Sequence, residues 1–212
     1  VEARKARLRP VIGTRLALVT GEVFLAYPED REAYGRLCRL ISAGRMSTLD
    51  GEWQDKGVGA IDCAMLAAHA EGSALILLPT RDLDERFTIP AWASNVVALD
   101  GSEFVGTASG ALPDILPHLA RGLPTMRHLA ASYLYRGDDR ARINRLDALA
   151  SRHGLGLLAT NDVLYHTRAR RPLQDVMTCI REKCTLTEAG LRLEKNAERH
   201  LKSPAEMLRL FN

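Results

Sequence analysis

Short, continuous apolar runs alternate with amphipathic helical stretches along this chain, and that alternation restricts its fold more than any other feature. Ala74–Leu78 ends at Pro79, Asn95–Leu99 precedes a Gly/Ser-rich stretch at 101–110, and Gly156–Thr160 runs into Asn161-Asp162. The run 74–78 suits a strand buried on both faces, as in parallel sheets. Between the runs the apolar positions take a helical period. Over 31–43, Tyr34, Leu37, Cys38 and Ile41 fall at i, i+3, i+4 and i+7, with Asp30 as N-cap and Gly44 as stop. After Arg136-Gly-Asp-Asp139, where either aspartate can cap a helix, Ile143, Leu146, Leu149 and Ala150 form a second stripe that Gly154 ends. The alternation predicts an α/β protein with a largely parallel sheet.

The remaining segments follow from local signals. Pro10–Val19 and Glu22–Tyr27 read as strands around a Thr20-Gly21 turn, with Pro28 breaking the second. Residues 46–58 read as loop, 60–70 as a helix closed by Gly72, 80–94 as loop with a short helix, and 112–120 as a short helix. Met126–Tyr135 reads as a strand. Residues 170–183 and 203–211 read as helices, the second opened by the capping box Ser203-Pro-Ala-Glu206. Composition shifts after Asn161, where strand alternation stops and a basic helical segment begins.

A hydrophobic content of 46% over 212 residues supports one sizeable domain, or a domain with an extension. No apolar run approaches the ~18 residues that span a bilayer, and residues 1–10 lack the apolar region of a secretory signal. The chain starts at Val1 rather than Met, as expected of a fragment. Its net charge of +3 is uneven: +3 over residues 1–10, −4 over 11–167 and +4 over 168–202. A basic end on an acidic body suits a nucleic-acid-facing extension, and equally a set of solvated helix faces. Cys38, Cys63, Cys179 and Cys184 have neither zinc-ribbon spacing nor disulfide-scaffold density, so reduced thiols of a cytoplasmic protein are expected. Cys179 and Cys184, five apart, would lie on different faces of a helix. The six histidines form no H-x-H or H-x-x-x-H pair, and no Gly-rich phosphate loop is present.

Asp162 is the strongest single candidate for function. It follows the apolar run 156–160, and α/β proteins build their sites at the C-terminal ends of strands. A carboxylate there could hold a divalent metal or cap the next turn; the two readings stand even. Arg168, Arg170 and Arg171 follow directly. Arginines of this kind contact phosphates, with Tyr165 and His166 available for stacking, or they pair with Asp162 and Asp175 within the protein.

The stretches Leu157–His166, Arg170–Arg181 and Asn196–Met207, with Val11–Leu16, Tyr34–Leu37 and Arg136–Asp139 upstream, resemble bacterial C-family DNA polymerase III α-type subunits. The wording of 161–181 is most similar to their error-prone, translesion branch. The resemblance implies a partial PHP-type distorted β/α barrel with its first strands missing, over 1–167. A basic helical connection towards the polymerase palm, 168–212, would follow it. In that family the PHP site can hold a cluster of divalent metals for phosphoester hydrolysis. Here the ligand motif Gly-x-Glu reads Gly13-Thr14-Arg15, which places a cation where a ligand would be. Asp-x-His reads Asp162-Val163-Leu164, which keeps the carboxylate and loses the imidazole. The resemblance therefore implies a remnant metal site without metal, in which Arg15 could pair with Asp162.

The function implied is that of a structural and interaction module within an error-prone DNA polymerase, without a polymerase active site of its own. The alternative is an active metal-dependent PHP phosphoesterase or 3′–5′ proofreading exonuclease. No cofactor is expected in this segment. Mg2+ is expected in the parent's palm, and the parent's expected partners are template-primer DNA, dNTPs, a sliding clamp and translesion accessory proteins. Loss of the first strands would expose an edge and favour self-association.

Overall fold

The computed structural model describes residues 2–46, 48–49, 52–53, 59–88 and 108–211. A short helix α1 (Glu2–Lys5) leads to strands β1 (Thr14–Ala17) and β2 (Val23–Pro28), then helix α2 (Arg31–Met46). A small hairpin, β3 (Thr48–Leu49) and β4 (Glu52–Trp53), precedes α3 (Cys63–His69) and β5 (Ser73–Leu78). Next come the paired strands β6 (Arg86–Thr88) and β7 (Ala108–Ala111), α4 (Leu112–Gly122), β8 (Met126–Ser132), α5 (Asp139–Arg152) and β9 (Gly156–Thr160). The chain ends in α6 (Arg171–Glu182), α7 (Leu186–Ala189) and α8 (Pro204–Phe211). The expected strand at Asn95–Leu99 lies outside the described residues.

The protein is α/β, as the alternation predicts, but its main sheet is mixed rather than largely parallel. Its order is β1-β2-β5-β8-β9. β1 pairs antiparallel with β2, β2 antiparallel with β5, and β5 parallel with β8. Connection length explains the difference. Thr20-Gly21 is a tight turn, with Gly21 at φ 98°, and a tight turn can join only antiparallel neighbours. Among the described residues α2, the β3–β4 pair and α3 separate β2 from β5, which run antiparallel, and the β6–β7 pair and α4 separate β5 from β8, which run parallel.

Two compact units share the chain: residues 1–130 with 148–157, and residues 131–147 with 158–212. The first holds a well-filled apolar core. Phe24, Leu40, Leu66, Leu75, Leu77, Leu112, Leu116 and Leu129 are all fully buried. The apolar run 74–78 is thus a strand buried on both faces, as expected. The second unit buries fewer apolar side chains, among them Leu134, Leu146, Tyr165, Cys179 and Leu210. Polar contacts carry much of its cohesion.

Helix α2 departs from its predicted phase and end. Its buried face is Ala33, Leu37, Leu40 and Gly44, while Tyr34 and Cys38 are exposed. Gly44 does not stop the helix, which runs on to Met46. A Cβ at Gly44 would lie 2.5 Å from Ile61 Cγ1, so the glycine is there for close packing. Small residues at both ends of the stripe hide it from a search for large apolar side chains. Asp30 does cap the helix: its carboxylate accepts from Ala33 N–H at 2.7 Å. Strand β1 is shorter than predicted because Val11 and Ile12 are exposed ahead of it.

Candidate functional site

Asp162 stands just past β9, the strand the sequence places most accurately. It adopts a positive φ of 41°, and its N–H faces Thr160 Oγ1 at 3.3 Å. Its carboxylate is paired with Arg199. Arg199 Nη2 donates to Asp162 Oδ2, Nε donates to the Asp162 carbonyl oxygen at 2.8 Å, and Nη1 donates to Glu194 Oε1. The Arg199 side chain is 14% exposed, against 48% for Asp162. Glu194 also faces Arg136 Nη2 at 3.8 Å, and its carbonyl oxygen accepts from Arg171. The cation on Asp162 is therefore Arg199; the sequence had suggested Arg15 for that role.

Backbone pairing brings Arg199 there. Leu164 N–H donates to the Arg199 carbonyl at 2.8 Å, Tyr165 and His200 form a parallel bridge, and Leu201 N–H donates to the Tyr165 carbonyl at 3.0 Å. Residues 194–202 thus fold back along the segment that follows β9. Asn161 fastens the return. Its Nδ2 donates to the carbonyl oxygens of Glu198 and His200, and its Oδ1 accepts from Lys202 Nζ at 3.2 Å. The Lys202 side chain is 2% exposed and reaches Glu198 Oε2 at 3.2 Å. A buried ammonium is tolerated only when paired and hydrogen-bonded in this way.

The other candidate residues divide between the units. Arg15 lies on β1 in the first unit, exposed and opposite Leu25. Asp162, Leu164, Arg168, Arg170 and Arg171 all belong to the second. Arg168 is ion-paired with Glu198 at 3.1 Å, and Arg171 faces Asp175 at 3.6 Å. Arg170 is exposed, with no ion pair among the described residues. Tyr165, a stacking candidate by sequence, is 7% exposed, and burial pushes its phenol up from the ordinary range. It is a packing residue, whereas His166 beside it is exposed.

For Asp162 to serve a metal cluster, several convergent anionic or imidazole ligands would be needed beside it. The carboxylate in question is neutralised by a guanidinium, and a neighbouring cation disfavours metal as it favours the bare carboxylate. Among the described residues no group of three or more His, Cys, Asp or Glu side chains could hold a metal ion.

Among the described residues the first unit buries a cluster of titratable groups. Glu22 is 2% exposed beneath the β1–β2 turn and accepts from Thr20 Oγ1. Burial pushes its carboxyl above the usual range. Cys63 is pushed far above an ordinary thiol by burial, with the charges of Glu22 and Asp62 adding to the effect. A thiol held protonated is a poor nucleophile.

No family model matches the chain. Curated relatives do. It is 45% identical over 202 residues to an error-prone DNA polymerase of Bradyrhizobium diazoefficiens, covering 95% of this chain and 15% of that protein. It is 39% identical over 215 residues to an error-prone DNA polymerase of Caulobacter vibrioides, covering 99% of this chain and 17% of that protein. An error-prone DNA polymerase 1 of Agrobacterium fabrum is 38% identical over 208 residues, with 96% and 16% covered. Over nearly all its length the chain is homologous to one segment of bacterial error-prone DNA polymerases, and it spans about 15% of the length of such relatives. Among the described residues no helix is long and apolar enough to cross a membrane.

Proposed function

We propose that this chain is a structural and interaction module of an error-prone, DNA-directed DNA polymerase. It would correspond to the later part of a PHP domain (1–167) and the basic connection towards the palm (168–212). Its metal site is a remnant whose surviving carboxylate serves as an ion-pair anchor. The observation that carries this reading is the guanidinium of Arg199 seated on Asp162 through both the carboxylate and the backbone carbonyl. A residue committed to that clamp is not free to orient a water or a phosphate oxygen.

The parent would carry out nucleotidyl transfer in the cytoplasm with template-primer DNA, dNTPs and Mg2+ held by palm carboxylates beyond this chain. A sliding clamp and translesion accessory proteins would be its partners. Within this segment Arg170 is the best placed of the three arginines to meet a phosphate, because Arg168 and Arg171 already hold carboxylates. The test is a 3′–5′ exonuclease assay of the full-length polymerase with Mn2+ or Zn2+, its palm inactivated. No degradation above background is expected. Metal-dependent degradation that Asp162→Ala abolishes would make the domain an active phosphoesterase.

A further inference from the structure

The end of α6 brings two thiols together. On a continuous helix Cys179 and Cys184 would face different directions, as their spacing suggested. The helix stops at Glu182 instead, and Lys183 takes a left-handed conformation (φ 52°, ψ 44°). The Cys184 N–H then turns back to donate to the Cys179 carbonyl at 3.0 Å. This is the six-to-one hydrogen bond of a Schellman cap, a motif that brings the side chains at its two ends into contact. Here both are cysteines. Cα atoms joined by such a turn lie roughly within the 4.4–6.8 Å span that a disulfide bridges.

Access is built in on one side. A surface cavity of about 480 Å³ is lined by Val176, Cys179, Ile180, Lys183, Cys184 and Leu186. Cys184 is half-buried and Cys179 is 6% exposed. Desolvation pushes the Cys179 thiol up, with the proximity of Cys184 adding to it. The pair thus has an outer thiol to react first and an inner one to resolve.

We propose that Cys179 and Cys184 form a redox modification site, a dithiol that closes to an intramolecular disulfide across the cap of α6 on reaction with a low-molecular-weight disulfide. The Cys184 thiolate attacks one sulfur of that disulfide and expels the first thiolate. The Cys179 thiol, giving up its proton, attacks the Cys184 sulfur of the mixed disulfide and expels the second. One disulfide bond forms in the protein and one is broken in the oxidant, which leaves as two thiols. The closed form pins the left-handed turn at Lys183 and the end of α6.

Trypsin supplies the test, because it cuts after Arg181 and Lys183 and so separates the two cysteines into peptides 171–181 and 184–192. The purified protein would be treated with oxidised glutathione, alkylated and digested without reductant. The expected product is the two peptides joined by a disulfide, at the expense of both alkylated forms and reversed by dithiothreitol. Cys179→Ser should eliminate the joined peptides and leave Cys184 as its glutathione mixed disulfide. Cys184→Ser should leave Cys179 alkylatable only after unfolding. The proposal is overturned if the wild-type protein keeps both thiols free, stops at the mixed disulfide on Cys184, or links either cysteine to Cys38, Cys63 or another chain.

Discussion

Arg199 holds Asp162 at two points, donating from Nε to its carbonyl oxygen at 2.8 Å and from Nη2 to its carboxylate. The two residues are 37 positions apart, and the contact closes residues 194–202 onto the end of β9. Arg199→Ala removes both bonds and the Glu194 pair together. Charge-assisted hydrogen bonds contribute about 1.5–3 kcal/mol, and a loss in that range is expected in urea unfolding. Asp162→Asn keeps the backbone bond and touches a half-exposed carboxylate, so it should cost about 0–1 kcal/mol. Equal losses from the two substitutions would show that the carboxylate pair, not the clamp, dominates.

Asn161 is a second sensitive position. Its side chain meets two carbonyl oxygens and the Lys202 ammonium in a buried setting. Asn161→Ala removes all three bonds, but Lys202 keeps its bonds to the Glu198 carbonyl and carboxylate, so the His200 carbonyl is the group left unpaired. An unsatisfied buried group costs about 1–3 kcal/mol, and destabilisation in that range is expected by chemical denaturation, with amide exchange accelerating first in 198–202. A loss below about 1 kcal/mol would contradict the network as described.

Glu22 gives a pH signature of defined sign. Burial raises its folded-state pKa above the unfolded value. Its contribution to stability is therefore fully present below the unfolded pKa and is lost as pH rises through the folded pKa. Glu22→Gln should accordingly raise Tm at pH 7 and leave it nearly unchanged at pH 4. Calorimetry at the two pH values checks this, and a lower Tm for the variant at pH 7 would refute it.

Gly44 tests the packing of α2. Alanine is favoured over glycine in a helix interior by about 1 kcal/mol, yet a Cβ here would lie 2.5 Å from Ile61 Cγ1. Overpacking costs about 1–3 kcal/mol, so Gly44→Ala should be neutral to destabilising. Gly44→Ala with Ile61→Val should recover part of the loss. A Tm gain from Gly44→Ala alone would mean that the helices separate freely.

What was legible in the sequence was local. β9 spans Gly156–Thr160 as the apolar run indicated. Ser203 and Glu206 form their capping box, with Ser203 N–H facing Glu206 Oε2 at 3.2 Å and Glu206 N–H facing Ser203 Oγ at 3.2 Å. Each signal lies within a few residues of the structure it encodes. The site was half legible: Asp162 is marked by the strand it ends, whereas Arg199 and Lys202 sit among other basic residues with no local sign of their partners. The left-handed turn at Lys183 was hidden for a related reason, since nothing marks a lysine as the residue that ends a helix in that conformation.

The most direct measurement is the Mn2+ content of the full-length polymerase, with its palm carboxylates substituted, after equilibrium dialysis. Because Arg199 occupies the carboxylate of Asp162, no stoichiometric metal should be retained, and Asp162→Asn should change nothing. One or more Mn2+ per chain, lost on Asp162→Asn, would contradict the clamp as the role of this residue and restore the metal site.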